Sequence, residues 1–415
     1  MNEAIRIRGG KPLNGEVRIS SSKNAAVAIL PAVVMASEIV KLYDVPNIED
    51  IKALIKLLSK LGVGVVENGD SLVIDPTSIA NVDLVDETVG RLRASYYFMG
   101  ALLGRFKHVR MLMPGGCNLG PRPIDLHLKG FEKLGASIVI KEGIIDISAK
   151  ELVGNDIYLD IASVGATINI MLAATFAKGR TVIQNAAKEP EIIDLSSMLN
   201  KMGAKVRGAG TSEITIDGVS RLKGCLHDII PDRIEAGTYI IAAAMMGEHV
   251  RINNVIPQHI ESLLLKLEEM GVDLETGSDF VDVYSSKTIR AVDIKTQPFP
   301  GFATDLQQPL TALMAIAKGD SKVTETIYSE RFKHCHELNK MGADIKVLPA
   351  GKSLIHGVES LKGSEVTATD LRCGAALVIA GLAAEGETII HDAYHIYRGY
   401  DSIVNKLRAL GADID

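Results

Sequence analysis

Four cations hold equivalent places in this chain, each at the head of an apolar stretch. They are Lys23 in SSSKNAA, Arg93 in RLRASYY, Arg233 in PDRIEAG and Arg372 in ATDLRCG. Two further heads, SVGATIN (163–169) and FATDLQQ (302–308), lack a cation. Ser, Thr and Asp are good helix N-caps. A helix start also carries partial positive charge and free N–H donors. One such Lys or Arg is ordinary surface charge, but four at matching starts point to binding of phosphate and carboxylate. Asp305 and Asp370 hold matching places in the fifth and sixth heads. Either suits a cap, and either, set among cations, can instead accept a proton from a hydroxyl.

The segment MPGGCNLGPRPIDLHLKG (113–130) adds a different chemistry. Gly115, Gly116 and Gly120 favour a mobile loop, and Pro123 suits the first position of a following helix. Cys117 lies at its centre with Arg122 close behind. A thiol near cations and a helix start ionises more readily than the free value of about 8.5. The segment therefore reads as a lid carrying a reactive thiol. The cluster HCHE (334–337) has metal-ligand residue types, but on a helix His334 and His336 point to nearly opposite faces, so no metal is expected there. Neither a GxxxxGK[ST] loop nor a GxGxxG after a strand occurs, which removes the usual signals of ATP hydrolysis and NAD chemistry.

These heads belong to a repeated element. Leu-Gly or Met-Gly followed by an alternating strand recurs at Gly62, Gly135, Gly203, Gly271, Gly342 and Gly411, with gaps of 73, 68, 68, 71 and 69 residues. A fixed period with a helix-ending glycine means one supersecondary unit used six times. Each unit reads as a small-residue helix, a short strand, a second helix ending at the glycine, and two further strands. The sixth unit stops at Asp415 without its finishing strands, while IRIRGGKPLNGEVRIS (5–20) matches SLIHGVESLKGSEVTA (353–368) in pattern. The N-terminal strands are therefore expected to complete the last unit. Two domains of three units follow, one over 21–231 and the other over 1–20 and 232–415. The crossings near Ser21 and Asp232 would act as a hinge, the helix starts would face one cleft, and the domains would close on a ligand. A single six-unit solenoid is the alternative.

Composition restricts the function. The chain has 415 residues, 47% hydrophobic and 23% charged, with a net charge of −6. That argues against a general nucleic-acid surface. The N-terminus has no apolar core and so no signal peptide is expected, and the longest apolar runs are too short to span a bilayer. Four scattered cysteines without a CxxC pair fit reduced thiols in the cytoplasm.

The segments SSKNAA, RLRAS, PGGCNLGPRPIDLH, SVGAT, AAKEPEI, PDRIEAGT, FATDLQ, TETIYSERF, ATDLR and YRGY, spread over essentially the whole chain, resemble the UDP-N-acetylglucosamine enolpyruvyl transferase family. The resemblance implies two domains, each an inside-out α/β barrel of three repeats. It implies transfer of enolpyruvyl from phosphoenolpyruvate to the sugar 3-hydroxyl with release of phosphate, opening peptidoglycan precursor synthesis, without cofactor or metal. By resemblance, Lys23, Arg122 and Arg398 would hold the phosphate of phosphoenolpyruvate, Arg372 its carboxylate, and Asn24 the intermediate. Cys117 would donate a proton to the methylene carbon or form a thiol adduct. Asp305 would accept the hydroxyl proton. Arg93, Arg122, Pro123, Ile124, Asp125, Leu126, Ser163, Val164, Gly165, Asp305 and Ile327 would contact the UDP-sugar. Two positions depart: Tyr397 stands where the family commonly has Asp before Arg-Gly-Tyr, and Ile161 where some members have Lys. The rival activities are enolpyruvyl transfer to shikimate 3-phosphate, against which the Cys117 lid and RPIDLH speak, and non-catalytic sensing of the nucleotide sugar.

Overall fold

The computed structural model of the chain describes residues 4–85, 89–90, 92–113, 124–286 and 288–415. Each apolar head leads into a helix: α1 (Lys23–Ala32), α2 (Tyr97–Phe106), α3 (Val164–Ala174), α4 (Arg233–Met246), α5 (Thr304–Met314) and α6 (Leu371–Ala383). A 3-10 turn, Arg93–Tyr96, precedes α2. In α3 every residue from Gly165 to Ala174 is buried, and α6 is buried from Arg372 to Leu382. A helix apolar on all sides can only be stable inside a core. Small residues let these helices approach closely. Gly100 of α2 is one case: a Cβ there would fall 2.3 Å from the Asn169 carbonyl oxygen of α3.

The second helices are amphipathic and half-buried: Glu49–Lys60, Asp125–Lys133, Pro190–Lys201, Glu261–Glu269, Lys333–Lys340 and Ile403–Ala409. Each ends at the repeated glycine, whose φ is +82°, +97°, +103°, +88°, +88° and +101° in chain order. Only glycine adopts that left-handed geometry without strain, which is why the six glycines mark the period.

Each repeat builds the same sheet. In the third, Arg180–Gln184 is flanked by a parallel strand, Asp156–Tyr158, on one side. On the other side lies the antiparallel hairpin of Glu213–Asp217 and Lys205–Arg207. In the second repeat the parallel edge shrinks to one bridge, Leu84 to Met111. Strand burial alternates, as in BeBe for Ile5–Arg8, so one face of the sheet packs inward and the other meets solvent. Helices inside and sheets outside give the expected α/β class.

The N-terminal strands correct one expectation. Ile5–Arg8 does complete the sixth repeat, lying between Glu387–His391 and Asp413–Ile414. Leu13–Arg18 does not: it runs parallel to Gly247–Asn253 of the fourth repeat. The physical reason lies in the repeat itself. The strand after each hairpin pairs forward with the next repeat, as Glu365–Thr367 pairs with Glu387–His391. In a three-repeat ring the repeat after the sixth is the fourth. The same closure joins Leu226–Asp228 to Val40–Tyr43 of the first repeat.

The described residues fall into two compact units, with boundaries between Ser20 and Ser21 and between Ile230 and Pro231. Each has its own hydrophobic core, one drawn from Ala25 to Ile229 and the other from Ile5 to Ile19 and Ile234 to Ile414. Among the described residues no helix is long and apolar enough to cross a membrane.

Candidate active site

In the unit holding 231–415, two of the matching aspartates take different roles. Asp370 is the N-cap of α6, and its Oδ1 accepts from the amides of Arg372 (2.9 Å) and Cys373 (3.0 Å). Asp232 caps α4 in the same way through Ile234 (2.8 Å) and Glu235 (2.9 Å). Asp305 caps nothing. It is the second residue of α5, whose N-cap is Ala303. Its carboxylate is gripped by two guanidiniums, Arg331 at 2.8 Å and Arg372 at 3.0 Å. Both arginines are 3% exposed, while Asp305 keeps 24%. Burial alone would raise the Asp305 carboxyl, but Arg372 and Arg331 outweigh it and hold it well below the usual carboxylate range. Burial likewise opposes the charge on Arg372, yet Tyr400, Asp305 and Asp232 keep its pKa raised. Arg372 also lies over the Tyr400 ring, 5.4 Å from its centroid, and the Tyr400 hydroxyl shares a 2.8 Å hydrogen bond with Thr238 of α4. The starts of α4, α5 and α6 thus converge on one cationic cluster around a half-buried carboxylate.

Around this cluster, Ile327 is half-buried and its amide donates to Glu325 Oε1 at 2.8 Å. Arg398 is half-buried at the end of the short helix Tyr394–Tyr397, and after burial its charge is the next influence lowering His395. His334 is buried and His336 exposed, as opposite helix faces require. Burial pushes the His334 imidazole down to about 3, so it is a neutral core residue.

In the unit holding 21–230, Ser22 caps α1 through the Ala25 amide (3.2 Å) and Ser163 caps α3 through Ala166 (3.3 Å). Lys23 opens α1 with its ammonium 3.4 Å from Asp50, a carboxylate that is 4% exposed. Asn24, next to it, is half-buried. A second group forms where the 3-10 turn, the helix Asp125–Lys133 and the start of α3 meet. The Arg93 guanidinium lies 5.5 Å from the Tyr96 ring centroid, and Tyr96 meets the His127 ring edge-on at 5.1 Å. A Cβ on Gly165 would fall 2.9 Å from the Tyr96 hydroxyl and 3.1 Å from His127 Nε2. Gly165 therefore keeps the head of α3 open toward two polar atoms. Asn169 Oδ1 accepts from the Gly100 amide at 2.8 Å, so its Nδ2 donates to His127 Nδ1 at 2.9 Å. The imidazole proton then sits on Nε2, on the Gly165 side. Burial, then Arg93, pushes His127 down to about 3, which keeps it neutral. Ile124 is buried, Asp125 exposed, and Leu126, Ser163 and Val164 half-buried around the same junction.

The structure thus unites Asp305 with Arg372 in one unit, and Arg93 and Gly165, through Tyr96 and His127, in the other. Cys117, Arg122 and Pro123 lie outside the described residues. Of the two departures, Ile161 is 69% exposed and Tyr397 is half-buried. Sequence reasoning assigned no role to Arg331, Asp50, His127 or Asn169. Arg331 stands in the connection between the strand Asp320–Thr324 and the helix Lys333–Lys340 rather than at the head of a core helix.

A family model described as EPSP synthase (3-phosphoshikimate 1-carboxyvinyltransferase) matches residues 7–407. The chain is 54% identical over 414 residues to UDP-N-acetylglucosamine 1-carboxyvinyltransferase 2 of Listeria monocytogenes, covering 100% of this chain and 98% of that one. It is 55% identical over 415 residues to the protein of the same name in Bacillus subtilis, covering 99% and 96%. Among solved structures, the enolpyruvyl transferase NikO from Streptomyces tendae superimposes with a TM-score of 0.90 at 27% identity, over 100% of this chain and 99% of that one. An EPSP synthase from Acinetobacter baumannii, at 19% identity and a TM-score of 0.77 over 99% of both chains, shares the fold.

Proposed function

We propose, from the premise that this chain belongs to the EPSP synthase family of carboxyvinyltransferases, that it transfers enolpyruvyl from phosphoenolpyruvate to the 3-hydroxyl of UDP-N-acetylglucosamine and releases phosphate. One observation carries the reading. A carboxylate at the head of α5 is clamped by two buried guanidiniums, one of them at the head of α6, in a chain 54% identical end to end to enzymes named for that transfer. The transfer opens peptidoglycan precursor synthesis. The reading places it in the cytoplasm, where a thiol such as Cys117 stays reduced.

In this reading the sugar hydroxyl oxygen bonds to C2 of phosphoenolpyruvate while the methylene carbon takes a proton. Loss of a proton and cleavage of the C2–O bond then restore the double bond and expel phosphate. Asp305 takes the hydroxyl proton. Arg372, with Arg331 beside it, receives the substrate carboxylate in the planar match that guanidinium offers. Lys23, Arg122 and Arg398 hold the phosphate and stabilise the charge that leaves with it. Asn24 positions the intermediate. Cys117 supplies the methylene proton or forms a thiol adduct. Arg93, Arg122, Pro123, Ile124, Asp125, Leu126, Ser163, Val164, Gly165 and Ile327 hold the UDP-sugar.

The clamp has a chemical consequence. With both guanidiniums on it, Asp305 is a weak base. A substrate carboxylate arriving at Arg372 draws that cation away, and Asp305 becomes more basic when the second substrate is present. The test is phosphate release measured with each substrate alone and with both. Release that needs phosphoenolpyruvate and UDP-N-acetylglucosamine together supports the reading. Saturable sugar binding with no release refutes it and selects the sensor. Release with shikimate 3-phosphate in place of the nucleotide sugar selects the other rival.

A further inference from the structure

Glu325 is a buried carboxylate, 3% exposed, that pairs with no cation among the described hydrogen bonds. Its acceptors are filled by four neutral donors. Oε1 receives the Thr296 hydroxyl at 2.7 Å and the amides of Ile327 at 2.8 Å and Tyr328 at 3.0 Å. Oε2 receives the Thr304 hydroxyl at 2.9 Å. A buried polar group is costly unless its hydrogen bonds are made, and here all four are.

What the carboxylate secures is a direction. Thr304 has one hydroxyl hydrogen, and Glu325 takes it. The lone pairs of Thr304 are therefore left for a donor, and Arg331 donates to Thr304 at 3.0 Å and to Asp305 at 2.8 Å. The chain of bonds runs from Glu325 through Thr304 to Arg331 and ends on Asp305. The same carboxylate holds the amides of Ile327 and Tyr328, fixing the connection on which Arg331 rides. We propose that Glu325 is a positioning residue for the transfer reaction, setting the Thr304 hydroxyl so that Arg331 stays on Asp305. This rests on the reading that Asp305 is the base.

Glutamine in this place offers one acceptor and one donor. If its oxygen keeps Thr296 and the two amides, its NH2 faces Thr304. The Thr304 hydrogen must then turn toward Arg331, where it meets another donor. The test uses the full-length chain, with phosphate release read as kcat and KM for each substrate. Glu325→Gln is expected to lower kcat by about tenfold to a hundredfold, the scale of a catalytic group displaced by a fraction of an ångström to one. The KM for UDP-N-acetylglucosamine should stay within about twofold, since the Ile327 amide keeps its acceptor. Thr304→Val should match that loss, Thr304→Ser should restore it, and the Glu325→Gln/Thr304→Val double variant should fall no further than either single change.

Thr296→Val is the control. It too removes a hydroxyl from Glu325, at Oε1 rather than at the Oε2 that meets Thr304. Although the Thr326 amide also loses its acceptor, the Thr304–Arg331 link stays intact, so kcat should stay within about twofold. Equal kcat losses from Thr296→Val and Thr304→Val, or additive losses in the double variant, would overturn the proposal in favour of a simple scaffold. So would Glu325→Gln with unchanged kcat. Failure of the underlying reading is distinct: it appears as absent phosphate release in the unaltered chain, or as Asp305→Asn with full activity.

Discussion

Replacing Asp305 by asparagine separates the clamp its carboxylate makes from the proton transfer proposed for it. Asparagine keeps the shape and one acceptor oxygen but presents an NH2 to the second guanidinium. Arg331 and Arg372, each 3% exposed, then keep their charges and lose one of their two grips on the carboxylate, at 2.8 or 3.0 Å. A hydrogen bond to a charged group contributes about 1.5–3 kcal/mol. Asp305 retains 24% exposure, so solvent recovers part of that, and the other oxygen still accepts. The expected loss of folding stability is about 2–4 kcal/mol, since two buried cations also lose the carboxylate they share. At about 2–4 °C per kcal/mol for a domain of this size, the melting transition of that unit should fall by roughly 4–16 °C.

Catalysis should respond separately. Removing a general base lowers kcat by about 10²–10⁴, while phosphoenolpyruvate should bind at least as well, because its carboxylate no longer competes with Asp305 for Arg372. Calorimetry, binding of phosphoenolpyruvate and phosphate release measure the three terms. The sign with pH is fixed as well. The folded Asp305 titrates below its unfolded value of about 3.9. Its contribution is therefore complete above that value and is lost only as pH falls through the lower folded one. A variant that melts normally, or one that keeps kcat within about threefold, refutes the clamp or the base respectively.

Asp370→Ala should cost about 0.5–2 kcal/mol, the value of an N-cap, with kcat unchanged once the protein is folded; chemical denaturation beside the activity assay decides. Glu235 is 2% exposed beside Lys406, whose ammonium lies 2.5 Å away and also donates to Ser20 at 2.6 Å. Burial outweighs Lys406 and pushes the Glu235 carboxyl up to about 7. A raised carboxyl favours the folded state below its unfolded value of about 4.3 and loses that advantage as pH climbs to about 7. Glu235→Gln should flatten melting temperature against pH across that window, and an unchanged slope would count against it. Gly165→Ala forces a Cβ to 2.9 Å from the Tyr96 hydroxyl, an overpacking worth about 1–3 kcal/mol; isothermal titration should show weaker UDP-sugar binding with phosphoenolpyruvate unaffected. An epoxide phosphonate should add one equivalent at Cys117. Burial raises the Cys225 thiol, pushes Cys373 up to about 12 and raises Cys335 further, so label on any of the three by peptide mapping would defeat the lid assignment.

The repeat was legible because its marker is a backbone requirement. A left-handed residue after each second helix admits little but glycine, so the period survives wherever side chains differ. Pairing partners were less legible. IRIR and LNGEVR look alike as strands, and nothing in either says that one closes a hairpin while the other reaches forward to the fourth repeat. That choice belongs to ring closure, a tertiary property. The site was half legible for the same reason. Lys23, Arg93 and Arg372 announce themselves at helix heads, whereas Arg331 acquires its place through Glu325 and Thr304, residues far from any cation motif in sequence. His127 needed the close approach of Gly100 to Asn169 before its tautomer, and hence its direction, had meaning.

The two aspartates in ATDL show how little separates a cap from a functional carboxylate. In the sixth repeat the helix begins after Asp370, and both donors its Oδ1 accepts are amides of its own helix. In the fifth, the helix begins two residues sooner relative to the same four letters, at Thr304. Asp305 is then inside the first turn, where its own helix offers no amide in the cap position. Its oxygens must look outward, and the nearest donors are the guanidinium on α6 and the one on the 325–331 connection. Thr304, displaced into the first helical position, becomes the hydroxyl that links Arg331 to Glu325. A shift of two residues in where a helix starts thus converts a stabilising cap into a carboxylate clamped by two guanidiniums. The repeat supplies the scaffold, and chemistry arises where one copy breaks register with its neighbour.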